Sequence, residues 1–327
     1  MDDRGRKGDN CFEEGIKLSL EYYIKNIFGK LDEDHFRVLR AIEMNLQTRE
    51  VVPVEIIGRI TGFGWRVEKL LKKLHEYRLI WAPRGATRGY ALNYYGMDLL
   101  ALKSLVDRNV IASFGKPLGV GKEADVYDAL SPDGMRLAVK FFRIGRTSFR
   151  GYEKHRTALM TAHTYMLASI RAAAREYQAL KILHPKGVAV PKPIARNRHV
   201  IVTEVFYGIE ISSTSYIENP VEVLCEIIKN LKLAYDAGVV HSDLSVYNIL
   251  MTPEQKILII DWPQWVDPKH PMAQRYMVRD MRNLLKFFRR KWNVLELPME
   301  CQRLIKDLCG ETFNTLVGES RSKGMSG

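Results

Sequence analysis

Cysteine is scarce and scattered. The 327 residues include only 4 Cys, at positions 11, 225, 301 and 309, with no CxxC pair and no His cluster beside them. This pattern speaks against a zinc site and against a disulfide framework, so a reducing, cytoplasmic setting is expected. No run of about 18 uncharged apolar residues is present, which speaks against a membrane span. The opening MDDRGRKGDN has no apolar core of a secretory signal. The two tails, 1–10 and 311–327, are polar or rich in Gly and Ser and read as disordered. No internal repeat is visible.

Acidic residues are also in deficit. Asp and Glu total 38 against 50 Lys and Arg, a net charge of +12. An anionic partner, nucleotide or nucleic acid, fits that balance. The hydrophobic share of 46% is ordinary for a globular chain, and the length suits two domains.

The first third reads as helices followed by a hairpin. HFRVLRAIEMNL sets Phe36, Leu39, Ile42 and Leu46 at helical spacing. VPVEIIGRITG is a short helix opened by Pro53 and closed near Gly62. WRVEKLLKKLHEYRLI aligns Val67, Leu70, Leu71 and Leu74 on one face, with Arg66, Lys69, Lys72 and Lys73 mostly elsewhere. LIWAPRGATRGYALNY then alternates about a turn at Gly85. This order is that of a winged helix-turn-helix. Between Trp65 and Tyr90 stand seven Lys or Arg and two Glu. Arg66, Lys69, Lys72, Lys73, Arg84 and Arg88 would face a nucleic acid. A solvated surface or a protein-docking module gives the same composition. A connecting helix follows at 97–111, so the domains are expected at 1–96 and 97–310, with a tail at 311–327.

Beyond residue 96 the pattern turns to strands and glycines. GKPLGVGKEADVYDAL fails as a Walker A loop, because Lys116 stands where Gly is needed and Glu123 where Ser or Thr is needed. It fits a shortened kinase Gly-rich loop, with Gly119, Gly121 and Lys122 near phosphates and Ala124 at the third Gly, and by itself fits a plain Gly-rich hairpin turn as well. GMRLAVKFFRIG follows, and Lys140 sits on its alternating strand like the phosphate-binding Lys of V-A-I-K. A snorkelling surface lysine is the alternative for that residue alone. SIRAAAREYQALKIL is helical, and Glu176 lies among alanines on its buried side, where it could pair with Lys140.

GVVHSDLSVYNILM (238–251) sets polar residues in an apolar run. Asp243 and Asn248 match the H-x-D-x-x-x-x-N spacing, in which the Asp orients the acceptor and takes its proton and the Asn helps hold a metal. Asp261 closes the buried run Ile257–Ile260, and a carboxylate there is costly unless paired or metal-bound. Oxygen donors of this kind suit Mg²⁺ or Mn²⁺. His241 as a core histidine and Asp243 as a turn cap are the structural alternatives.

GVGKEADVY, LAVKFFRIGRTSF, AAREYQAL, VVHSDLSVYNIL and IIDWPQWV together resemble the RIO atypical protein kinases, and the winged helix resembles their type-two branch. The likeness covers about residues 10–305, and the end soon after the kinase core resembles short archaeal-type members. The resemblance implies an α+β fold: a winged helix-turn-helix domain followed by a bilobal protein-kinase-like domain with a reduced C-lobe. It implies ATP with Mg²⁺ between the lobes. Asp243 would be the catalytic aspartate, Asn248 and Asp261 metal ligands, Lys140 the phosphate anchor, and Glu204 and Phe206 the backbone contacts to adenine. It further implies maturation of the small ribosomal subunit, autophosphorylation on Ser, and ATPase turnover through a phospho-aspartate at Asp261.

Two departures from ordinary kinases stand out. No A-P-E segment follows Asp261, so a peptide platform is expected to be missing. Residues 143–170 carry Arg143, Arg146, Arg150, Lys154 and Arg156 and read as a mobile basic loop over the nucleotide, in reach of RNA. Ser242 stands where many kinases carry the Arg that grips a phosphorylated activation loop, so switching by that route is not expected. The competing functions are a small-molecule phosphotransferase of the aminoglycoside or choline kinase type, and a winged-helix regulator with a nucleotide-sensing pseudokinase. A monomer is expected.

Overall fold

The structure, a computed structural model, describes residues 19–82, 88–145 and 157–312. The expected tail 1–10, residues 313–327 of the expected tail 311–327, Cys11, the turn bearing Arg84 and Gly85, and Arg146, Arg150, Lys154 and Arg156 lie outside the described residues, whereas Gly310–Thr312 form a short 3-10 helix. The chain divides into two compact units, Met1–Asn45 with Val51–Leu100, and Leu46–Glu50 with Ala101–Gly327.

In the first unit, helix α1 (Leu20–Asn26) starts where Ser19 accepts from the Tyr22 N–H. Helix α2 (Glu33–Glu43) is capped in the same way by Asp32 and buries Phe36, Val38, Leu39 and Ile42. Strand β1 (Val52–Pro53) leads into α3 (Val54–Thr61), which ends at Gly62 with φ +71. Helix α4 (Arg66–Glu76) buries Val67, Leu71 and Leu74 against α2 and α3. Strands β2 (Ile80–Trp81) and β3 (Gly89–Leu92) complete an antiparallel sheet of order β1-β3-β2. Glycine is required at 89, since a Cβ there would stand 2.7 Å from the Val52 carbonyl oxygen. Helix α5 (Tyr94–Asp107) follows, and the expected boundary near residue 96 falls inside it.

The second unit opens with β4 (Ser113–Val120), β5 (Ala124–Leu130) and β6 (Arg136–Phe142). Helix α6 (Thr157–Leu183) then precedes β7 (Pro193–Asn197) and β8 (Val200–Glu204). These five strands form one antiparallel sheet of order β4-β5-β6-β8-β7. Below them lie β9 (Ile209–Glu210), α7 (Pro220–Asp236), β10 (Ile249–Met251), β11 (Ile257–Ile259), α8 (Ala273–Trp292) and α9 (Met299–Cys309). Leu224, Ile228, Trp262, Met281 and Phe288 share one buried cluster there. Burying each such side chain contributes about 1.5–3 kcal/mol, and that cluster is the platform for the polar loops between the strands.

Several expectations need correction. Residues 157–170 are the first turns of α6, not loop. Arg143 is not a surface cation: it is buried beside Asp125, Nε to Oδ2 3.3 Å, and beside His199 at 3.3 Å. A charge that has left water with a carboxylate partner cannot also grip RNA. The expectation of no disulfide also fails, because Cys225 on α7 and Cys301 on α9 form one with Cα atoms 5.7 Å apart. The pair is 76 residues apart in sequence, so it becomes visible only when α7 packs on α9. Cys309 is free and buried. Among the described residues, no helix is long and apolar enough to cross a membrane.

Candidate active site

Lys140 lies in the middle of the five-stranded sheet, opposite Val126 on β5 and Ile201 on β8. Its Nζ donates to both oxygens of Glu176, at 2.7 and 3.0 Å, and to Asp261 Oδ1 at 3.0 Å. Glu176 reaches it from α6, whose neighbouring Ala173, Ala179 and Leu180 are fully buried. The small alanines let the helix lie close enough for a short acidic side chain to meet the lysine. Burial by itself disfavours the ammonium, but two carboxylates outweigh it and hold the Lys140 pKa above its ordinary value. Burial pushes the Glu176 carboxyl up to about 7 against the pull of Lys140, whereas Lys140 holds Asp261 below the usual carboxylate range.

Asp261 follows β11 with φ +68, left-handed backbone that a non-glycine residue adopts only under constraint. The constraint comes from the loop that carries Asp243. The Asn248 carbonyl accepts from the Ile260 N–H at 2.9 Å. His241 Nε2 is 3.1 Å from the Ile260 carbonyl and its Nδ1 is 3.4 Å from the Asp243 N–H. A carbonyl can only accept, so Nε2 carries the proton and Nδ1 receives the amide. Burial, which lowers the His241 pKa, keeps that neutral tautomer. Val240 and Val266 close the pair of segments with a β-bridge.

Ser242 is left-handed too, with φ +65. Its Oγ donates to the Gln264 carbonyl at 2.6 Å, and its own carbonyl accepts from Arg279 Nη2. Asn248 Nδ2 donates to the Asp243 carbonyl at 3.2 Å, which orients the amide and leaves its oxygen for another partner. Asp243, Asn248 and Asp261 therefore sit on two segments joined by hydrogen bonds, and Lys140 joins that pair to α6. Arg175 on α6 adds a direct link, with Nε to the Pro263 carbonyl at 2.9 Å and its own carbonyl accepting from Trp265 Nε1 at 3.0 Å.

Gly119 and Gly121 lie in the β4–β5 hairpin, where Gly121 N donates to the Ala124 carbonyl at 2.8 Å. A Cβ at Gly119 would meet nothing among the described residues within 4 Å, so its small size serves no packing there and leaves a space that a side chain would fill. Lys122 is exposed in the same turn. At the end of β8 the Glu204 N–H is taken by the Lys192 carbonyl at 3.1 Å. Among the described residues nothing accepts from the Phe206 N–H.

A divalent cation fits this donor set only in company. Among the described residues no three His, Cys, Asp or Glu side chains gather to hold one. Mg²⁺ is commonly bound by one or two protein oxygens plus phosphates and water, a share that Asp261 and the Asn248 amide oxygen could supply.

On the winged helix, Arg66, Lys69 and Lys72 are exposed and Lys73 is half-buried. Arg66 is paired with Asp34 at 3.3 Å and Arg88 with Glu68 at 3.1 Å, so two of these cations already have carboxylate partners. Arg279 and Asp280 escaped the sequence reading. The available signal was an Asp in register with the apolar stripe Met277, Met281 and Leu284 of α8, a place where a charge is costly without a partner.

Residues 125–300 match the RIO domain family, and residues 28–108 match the family described as Rio2, N-terminal. The chain is 34% identical over 272 residues to the serine/threonine-protein kinase rio2 of Dictyostelium discoideum, covering 81% of this chain and 51% of that protein. It is 36% identical over 227 residues to the RIO-type serine/threonine-protein kinase Rio2 of Methanocaldococcus jannaschii, covering 67% and 83% respectively. It spans about half the length of the Dictyostelium and Caenorhabditis elegans relatives. The crystal structure of the Rio2 kinase-ADP/Mg²⁺-phosphoaspartate complex from Chaetomium thermophilum superposes with a TM-score of 0.77 at 28% identity, over 95% of both chains. The chain belongs to the RIO family, with a Rio2 N-terminal winged-helix domain ahead of its RIO kinase domain.

Proposed function

We propose that this chain is an ATP- and Mg²⁺-dependent serine/threonine protein kinase, autophosphorylating and also able to act as an ATPase, that works in maturation of the small ribosomal subunit. The observation that carries this reading is the position of Lys140, bonded at once to Glu176 and Asp261. Phosphoryl transfer needs charge and alignment more than covalent help, and this arrangement supplies both. In this reading Lys140 holds nucleotide phosphates, kept in place by Glu176. Asp243 orients the acceptor hydroxyl and takes its proton. Asn248 and Asp261 hold Mg²⁺, which neutralises phosphate charge when bound. Gly119, Gly121 and Lys122 cover the phosphates, and the backbone of Glu204 and Phe206 meets adenine.

The relatives named above are serine/threonine-protein kinases, and the solved relative is a phosphoaspartate complex. By analogy, the ATPase arm places the phosphoryl group on Asp261: a carboxylate O–P bond forms, the β–γ phosphoanhydride bond breaks, ADP leaves, and water then releases phosphate. The winged helix would meet RNA through Lys69, Lys72 and Lys73, with Arg66 and Arg88 contributing once their carboxylates are outcompeted. The site of action in this reading is the cytoplasm, where the buried Cys225–Cys301 pair is shielded from reductants.

The test is Mg²⁺-dependent ATP turnover by the full chain, with Asp243→Asn and Asp261→Asn beside it. Loss in both with the fold intact supports the reading, and wild-type rates in either sink it. A hydroxylamine-labile phospho-adduct missing from Asp261→Asn separates the ATPase arm from protein phosphorylation. Copurification with small-subunit precursors tests the partner.

A further inference from the structure

Asp243 is mostly exposed, yet the peptide groups on both sides of it are held from one place. Arg279 Nη2 donates to the Ser242 carbonyl, just before Asp243. The Asp280 carboxylate accepts from the Leu244 N–H at 3.2 Å, just after it. Arg279 and Asp280 are neighbours on α8, and Arg279 Nε and Nη2 both meet Asp280 Oδ1, at 3.2 and 2.9 Å. Asp280 is buried among the apolar residues of α8, so it is a fixed anchor. The guanidinium also lies over the Tyr276 ring at 5.3 Å, a further contact that favours this position although the side chain is 45% exposed. From that seat Arg279 Nη2 stands 3.8 Å from Asp243 Oδ1, too long for a hydrogen bond and close enough for charge to matter.

We propose that Arg279 is a positioning residue for the catalytic Asp243: anchored on Asp280, it clamps the Ser242 carbonyl and supplies from α8 the fixed positive charge that the residue before Asp243 does not. Kinases with the H-R-D sequence carry an arginine at the position of Ser242. Here a serine stands there, its hydroxyl committed to the Gln264 carbonyl. The arginine comes instead from a helix whose neighbours are buried core residues. The cation is therefore present whatever the state of the segment after Asp261, and no phosphorylation is needed to put it there. Asp243 is aimed by the two clamped peptide groups.

This inference rests on the kinase reading above, and its test separates the two. The full chain is compared with Arg279→Ala and Arg279→Lys for kcat, KM for ATP and Tm, with and without added methylguanidinium. Arg279→Ala is expected to lower kcat about ten- to a hundredfold, as a misplaced catalytic group does, with KM for ATP unchanged. Methylguanidinium should restore part of that loss in Arg279→Ala and do nothing for wild type or Asp243→Asn. Arg279→Lys, which keeps the charge without the fork, should fall between, and it serves as the readable variant if the alanine protein does not fold. A wild-type kcat in Arg279→Ala overturns the inference, as does a loss that tracks a fall in Tm and resists rescue. Absence of Mg²⁺-dependent turnover in the wild-type chain overturns both readings.

Discussion

Lys140 Nζ donates to Asp261 Oδ1 at 3.0 Å while it also holds Glu176 at 2.7 Å. One cation thus serves two carboxylates of different character. The Glu176 side chain is 4% exposed and that of Asp261 is 47% exposed. The buried partner fixes the lysine, and in the proposed reading the open one would exchange it for a metal and phosphates. Asp261→Asn should therefore abolish Mg²⁺-dependent turnover with little change in Tm, because a half-exposed pair is screened. Glu176→Gln should lower stability by on the order of 2–4 kcal/mol, since it breaks a buried pair. Urea unfolding of the two variants beside their ATPase rates checks the contrast. Equal destabilisation would show that both carboxylates are structural.

A pH effect follows from His241. The neutral ring bridges Ile260 and Asp243, and burial lowers its pKa below the ordinary value. In the unfolded chain the ring takes a proton near pH 6.5, so acid favours unfolding. The stability at stake is complete above about pH 6.5 and is lost as pH falls from there toward the lower folded pKa. Urea midpoints at pH 7.5 and 5.5 should differ more for wild type than for His241→Gln, which cannot titrate. An identical acid loss in the variant would assign it to other groups.

Ser242 carries two opposing contributions. Its φ of +65 costs about 1–2 kcal/mol for a residue with a Cβ. Its hydroxyl bond to the Gln264 carbonyl returns about 0.5–1.5 kcal/mol. Ser242→Gly removes both and should leave stability within about 1 kcal/mol of wild type. Ser242→Ala keeps the strain and loses the bond, so it should be the less stable of the two by about 1–2 kcal/mol. Paired urea curves decide the order, and an alanine variant more stable than the glycine one would refute the strain argument.

What the sequence revealed about this site and what it hid divide along a physical line. Asp243 and Asn248 were legible because one tight loop fixes their spacing, and Asp261 because a carboxylate ending a buried β-branched run needs a reason. Glu176 was legible from the alanines around it. The winged helix showed in the period of Phe36, Leu39 and Ile42 and of Val67, Leu71 and Leu74, all of which are buried. Arg143 was misread because its position in a run of cations hides the fact that, just past β6, it turns inward to Asp125 and His199. Arg279 was missed because the carbonyl it clamps lies 37 residues away, at Ser242. Left-handed backbone at Ser242 and Asp261 leaves no mark in residue type, since neither is glycine. Local period and spacing are written in the chain, whereas pairings made by packing are not.

The Cys225–Cys301 bond is such a pairing, and it carries the last prediction. It ties α7 to α9 across 76 residues of sequence. Closing a loop of that length removes unfolded-state entropy equivalent to about 4 kcal/mol. Both sulfurs sit in buried residues, Cys225 at 7% and Cys301 at 2% exposure, so the native bond should resist mild reductant. Reduction under partly denaturing conditions, or the double change Cys225→Ser and Cys301→Ser, should then lower the urea midpoint while turnover at low temperature stays near wild type, since neither cysteine touches the site. The thiol count by mass spectrometry after alkylation, with and without prior reduction, establishes whether the bond is present in the purified chain. Two alkylated thiols at 225 and 301 without reduction, together with an unchanged urea midpoint in the double variant, would refute the stabilising role.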